Sequence, residues 1–103
     1  MSKVGAFVKL TARDGQRDAL IAHLLKSVDQ AKSEQETEVW IVSSSPSEPN
    51  TVWLTEIYSS QEAQAAHSNS PAAQASLGGA MEFVAGMPEV ILISPAGGKG
   101  LNA

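Results

Sequence analysis

Two runs of alternating side chains, Thr37 to Ser44 and Thr51 to Tyr58, lie a short polar stretch apart. A period of two marks a strand. The serine-rich link Ser43 to Asn50, with Pro46 and Pro49, reads as a hairpin loop. A central hairpin limits every fold that can be built around it. The first run sets Val39 and Ile41 against Trp40 and Val42. The second sets Val52, Leu54, Glu56 and Tyr58 against Trp53, Thr55 and Ile57.

The flanking segments complete the pattern. Lys3 to Leu10 alternates, with Val4, Ala6, Val8 and Leu10 on one face. From Gln16 to about Ser33, Leu20, Ile21, Leu24, Leu25, Val28 and Ala31 form a helical stripe, with His23 off it as a solvated residue. After the hairpin, Ser59 reads as an N-cap with Glu62 completing a capping box, so a short helix runs to about Ser68. Ser70-Pro71 restarts a helix that Gly78-Gly79 is expected to interrupt. Glu89 to Ser94 is the last strand. The order βαββαβ predicts an α+β, ferredoxin-like domain: an antiparallel four-stranded sheet with helices on one face. It spans residues 1–95, and 96–103 form a glycine-rich flexible tail.

Apolar side chains on both faces of such a sheet leave one face uncovered, more than a monomer ordinarily exposes. A second copy is the expected partner, two sheets facing each other to form a dimeric α+β barrel. The net charge of −4 with no Lys/Arg cluster argues against nucleic acid. The absence of cysteine excludes disulfides and thiolate chemistry. Neither a signal peptide nor a membrane-spanning run is read, so a cytoplasmic protein is expected.

The polar groups that break the apolar pattern are few. Histidine is the side chain whose ordinary pKa lies nearest neutrality, and the chain has two. His67 shares a helix face with Ala63 and Ala66, at i, i+3 and i+4, which turns it inward. Glu56 interrupts the face of Val52 and Leu54, and a half-buried carboxylate needs a partner. Glu56, Tyr58 and His67 are therefore the candidate catalytic set, with Glu56 orienting the imidazole as a general base. A structural Glu–His pair pinning helix to sheet is the competing reading. Trp53, Trp40, Phe7 and Phe83 are candidates for contacting a flat aromatic ligand, or for plain core and interface. No spacing suggests a metal site, and Gly97 to Gly100 does not open a helix as a phosphate loop would.

Glu56, Tyr58, Ser60, Glu62-Ala63, His67 and Ser70-Pro71 resemble the signature strand–helix segment of the antibiotic biosynthesis monooxygenase family, and the element order fits across nearly the whole chain. The chain departs from the family pattern at Ala72, where a second histidine is frequent, at Gln64, where an aromatic is common, and at Glu34 to Thr37, where Glu-Pro-Gly is usual. The resemblance implies a homodimer with an apolar cavity between sheet and helices. It also implies oxidation of a quinol or polyphenol by molecular oxygen with no metal, flavin or haem cofactor. The alternative is a non-catalytic dimeric barrel that binds a small apolar metabolite or serves a stress response. A haem-degrading relative is a third option, but the asparagine such proteins commonly carry on the first strand is absent between Lys3 and Leu10.

Overall fold

The computed structural model describes residues 2–101. The last two residues of the expected 96–103 tail, and Met1, lie outside the described residues. The elements are β1 (Val4–Thr11), α1 (Arg17–Leu25), α2 (Val28–Ser33), β2 (Thr37–Ser44), β3 (Thr51–Tyr58), α3 (Gln61–Ser68), α4 (Pro71–Ala80) and β4 (Glu89–Ile93). They build one open sheet in the order β2-β3-β1-β4, each pair antiparallel. This is the expected ferredoxin-like α+β architecture.

Register assigns the faces. Trp40, Glu56, Ala6 and Leu92 share one cross-strand row, and Val42, Leu54, Val8 and Val90 the next. This side faces the helices, and its core joins Leu10, Val52 and Leu54 to Leu20, Leu24, Ala80 and Val84. Burying each such leucine contributes roughly 1.5–3 kcal/mol. The opposite side carries Val39, Ile57, Gly5 and Ile93 in one row and Ile41, Thr55, Phe7 and Ile91 in the next. No helix covers it, and Phe7, Ile41 and Ile91 are exposed. On the helix side the cover stops short of β4, leaving Val90 and Leu92 exposed as well. Gly5 fits where it does because a Cβ there would lie 2.5 Å from the Glu56 carbonyl and 3.1 Å from Ile93. A bulge in β2 makes Glu38 an extra residue, and Lys3 Nζ sits 2.6 and 2.7 Å from its two carboxylate oxygens.

Four expectations about the helices are corrected. The single helix over 16–33 is two, because Lys26 and Ser27 donate to His23 and Leu24, tightening the backbone to i→i−3 bonds. Leu25 consequently leaves the buried stripe and is half exposed. His23 is not a solvated residue: its Nε2 lies 2.8 Å from the Ser76 carbonyl, and its ring packs on Phe83. The α3 cap is Ser60, whose Oγ accepts from the Ala63 N–H at 3.1 Å, one residue after the expected Ser59. Helix α4 runs through Gly78-Gly79, since a Cβ at Gly79 would meet the His23 ring at 2.5 Å. Glycine at 79 permits the α1–α4 contact and does not end the helix.

Candidate functional site

Helix α3 presents His67 inward as its spacing requires. The ring lies beside Tyr58, with centroids 5.4 Å apart at 45°. Its carboxylate partner is Glu34, the residue that caps the C-terminus of α2: His67 Nδ1 stands 2.6 Å from Glu34 Oε1. Thr37 donates to the same oxygen at 2.8 Å, and the Gln30 amide to Oε2 at 3.1 Å. The Gln30 amide also reaches Ser70 Oγ at 3.1 Å, the cap of α4. One carboxylate therefore gathers donors from α2, β2 and α3.

Burial raises the Glu34 carboxyl, but the hydrogen bonds from His67, Thr37 and Gln30, with the charge of His67, outweigh it and hold the group below its ordinary value. An ionised carboxylate only accepts, so Nδ1 must carry the proton that bridges the pair. In neutral His67 the lone pair is then on Nε2. Among the described residues Nε2 has no hydrogen-bond partner within the chain, and it is not sealed from solvent. The His67 side chain belongs to the lining of a cleft of about 440 Å³, with Glu34, Gln35, Glu36, Thr37, Ala63 and Ala66.

The expected Glu56–His67 pair is not formed. Tyr58 donates its hydroxyl to Glu56 Oε1 at 2.5 Å, since two residues apart on one strand face they meet directly. Tyr58 is fully buried, and burial first, then the charge and hydrogen bond of Glu56 and the charge of Glu34, raise its phenol well above the ordinary range. The raised phenol favours the neutral, donating form. The candidate catalytic set is thus brought together in part: Tyr58 packs on His67 and bonds Glu56, which share no hydrogen bond with each other. The missed residue, Glu34, is 33 positions from His67, and its sequence signals were an acidic residue where the helix stripe ends and its place at the start of the Glu34 to Thr37 turn.

The four candidate aromatics do not gather either. Trp53 and Phe7 lie on the uncovered face, with Lys9 Nζ 5.9 Å from the Trp53 ring centroid. Trp40 and Phe83 pack against the core on the other side. None of the four lines the cleft beside His67. Among the described residues no group of three or more His, Asp or Glu side chains is placed to hold a metal ion, and no helix is long and apolar enough to cross a membrane.

The sequence profile of the antibiotic biosynthesis monooxygenase family matches residues 4–77. A solved structure from Chloroflexus aurantiacus J-10-fl, provisionally described as an antibiotic biosynthesis monooxygenase, is 33% identical over 98% of this chain and 100% of that one, with a TM-score of 0.83. A protein of unknown function from Nitrosomonas europaea is 26% identical over 100% and 97% of the two chains, at a TM-score of 0.85. A Caulobacter crescentus structure with the same provisional description shares the fold at a TM-score of 0.88, with 18% identity over 93% and 92%. No curated protein matches the sequence significantly. With the profile covering most of the chain and the Chloroflexus structure matching end to end, the chain belongs to the antibiotic biosynthesis monooxygenase family.

Proposed function

We propose that the protein is a cofactor-independent monooxygenase acting on a quinol or polyphenol, with His67 as general base. The observation that carries the reading is the Glu34–His67 pair at the edge of an open cleft, which fixes the proton on Nδ1 and leaves Nε2 able to accept one. An electron-rich phenolic ring bearing an acidic CH₂ loses a proton to His67, and the anion transfers an electron to oxygen. Collapse of the resulting pair forms a carbon–oxygen bond, and the hydroperoxide loses water to leave a carbonyl. Overall CH₂ becomes C=O: one oxygen atom enters the product, and the other leaves as water with the two hydrogens. Buried Tyr58, held by the half-buried Glu56, supplies a fixed wall behind the imidazole.

The working unit in this reading is a homodimer closed over the uncovered sheet face, which carries Phe7, Ile41, Ile57, Ile91 and Ile93. A second reading has its own support. Glu34 accepts from three separate elements, as a strut would, and this favours a non-catalytic ligand-binding barrel.

Metal-stripped protein mixed with an anthrone-like or menadiol-like compound in air separates the two. Oxygen uptake above the uncatalysed rate, reduced by about 10²–10⁴ in His67→Ala, is expected for the base. Uptake at the background rate across several such compounds leaves the binding reading.

A further inference from the structure

The walls of the cleft beside His67 are rich in acceptors and contain no lysine or arginine. Of its lining side chains, Glu34 and Glu36 are acidic, Gln35 and Thr37 are polar and neutral, Ala63 and Ala66 are small, and neither lysine nor arginine contributes. Glu34 is fully engaged within the chain. Glu36 is not: it is exposed, and only its Oε1 accepts, from the Ser59 hydroxyl at 3.2 Å. Glu36 Oε2 and His67 Nε2 are thus two acceptors left open by the fold. The charges on the surrounding elements do not offset this. Lys3 is bound by Glu38, Lys32 in the last turn of α2 is exposed and outside the lining, and the first turn of α3 adds Glu62.

We infer that this cleft selects a phenolic ligand that is neutral or cationic and donates hydrogen bonds from adjacent groups, and that it rejects the carboxylated or sulfonated counterpart. The inference rests on the proposed role of the His67 site and adds the charge class of its substrate. A hydroxyl of the ligand would donate to Nε2. A second hydroxyl or an ammonium group would meet Glu36. An anionic substituent would face the carboxylates of Glu34 and Glu36 with no lysine or arginine in the lining to offset them.

A matched pair of catechols tests the selection: 4-(aminomethyl)catechol and 3,4-dihydroxybenzoate, titrated without oxygen at pH 7 and low salt. Amide NMR shifts of Ala63 and Ala66 report occupancy of the cleft. The amine is expected to bind at least about tenfold more tightly than the acid. Glu36→Gln should narrow that ratio and Glu36→Lys invert it, whereas Glu48→Gln, an exposed charge in the β2–β3 loop, should leave it unchanged. Equal or tighter binding of the acid, a ratio that Glu48→Gln changes as much as Glu36→Gln, or no shift at Ala63 and Ala66 with either compound would overturn the inference. Because no turnover is involved, the outcome is independent of the oxygen-uptake test. Selection without uptake removes the monooxygenase reading alone, and uptake without selection removes this one alone.

Discussion

Replacing Glu34 by glutamine keeps the side chain's volume and removes the charge that three donors share. The carboxylate accepts at 2.6 Å from His67, 2.8 Å from Thr37 and 3.1 Å from Gln30. Hydrogen bonds to a charged acceptor are worth about 1.5–3 kcal/mol each when removed singly. They do not add here, because the Glu34 side chain is still 25% exposed and Gln30 keeps Ser70 as a second acceptor. A loss of about 2 kcal/mol at pH 7 follows, equivalent to roughly 10 °C in Tm for a domain of this size. Urea unfolding followed by tryptophan fluorescence at fixed protein concentration measures it, with the midpoint moving and the m-value constant. The pH dependence has a definite sign. Glu34 is held below its ordinary 4.5 in the folded chain. Its contribution is therefore complete above that value and disappears as pH falls through the lower, folded one. The gap between wild type and Glu34→Gln should close as pH falls below 4.5 through the folded value. A double-mutant cycle with His67→Gln should give a coupling of about 1–2 kcal/mol. A difference under about 0.5 kcal/mol at pH 7, or one that persists unchanged at acid pH, would refute the shared-carboxylate reasoning.

Other parts of the structure make sharp predictions. Tyr58 is the only tyrosine, so alkaline absorbance near the tyrosinate band reports it alone. With its phenol raised by burial and by Glu56, no tyrosinate should form before unfolding, and stability should fall once pH passes 10, where only the unfolded chain releases the proton. Ionisation of the folded protein near pH 10 would contradict the Tyr58–Glu56 bond. The adjacent glycines of α4 should respond in opposite directions. Gly78→Ala, with open space around its Cβ, should gain about 1 kcal/mol of stability. Gly79→Ala, 2.5 Å from the His23 ring, should lose about 1–3 kcal/mol. Equal effects at the two positions would mean that the α1–α4 contact is not as described. Finally, Ile41→Glu places a charge on the uncovered sheet face, halfway along the edge strand β2. Wild type is expected at about twice the 10.8 kDa chain mass in solution, and the variant near the monomer mass. A wild-type monomer would contradict the proposed dimer.

The first three strands were legible because each carries its own periodicity, and the last because Glu89 to Ser94 is a short apolar run. Thr37–Ser44 and Thr51–Tyr58 are bounded as read, the hairpin loop follows from its prolines and serines, and Ser70-Pro71 starts α4 as its residues require. What was not legible depended on contacts between distant segments. Nothing local in Gln16 to Ser33 announces the break at Lys26-Ser27, where the Ser27 hydroxyl meets Ser76 Oγ at 2.7 Å, 49 residues away. Gly78-Gly79 carries the local signal of a helix stop, and the packing of His23 against α4 overrides it. The site failed in the same way. Glu56 was close to His67 in sequence and of the right chemistry, but Tyr58, nearer still on the same strand face, captures it. Glu34 pairs with His67 only because the fold returns the end of α2 to α3.

That exchange of carboxylates gives the most direct test of the whole account, namely oxygen uptake by metal-stripped wild type, Glu34→Gln and Glu56→Gln on one anthrone-like substrate. If Glu34 orients the base, Glu34→Gln loses at least about tenfold in rate at pH 7, a part of the 10²–10⁴ that a general base supplies. Glu56→Gln, which keeps an acceptor for Tyr58, stays within a few-fold of wild type. A rate that falls with Glu56→Gln and survives Glu34→Gln would contradict the account, as would three proteins that all match the uncatalysed background.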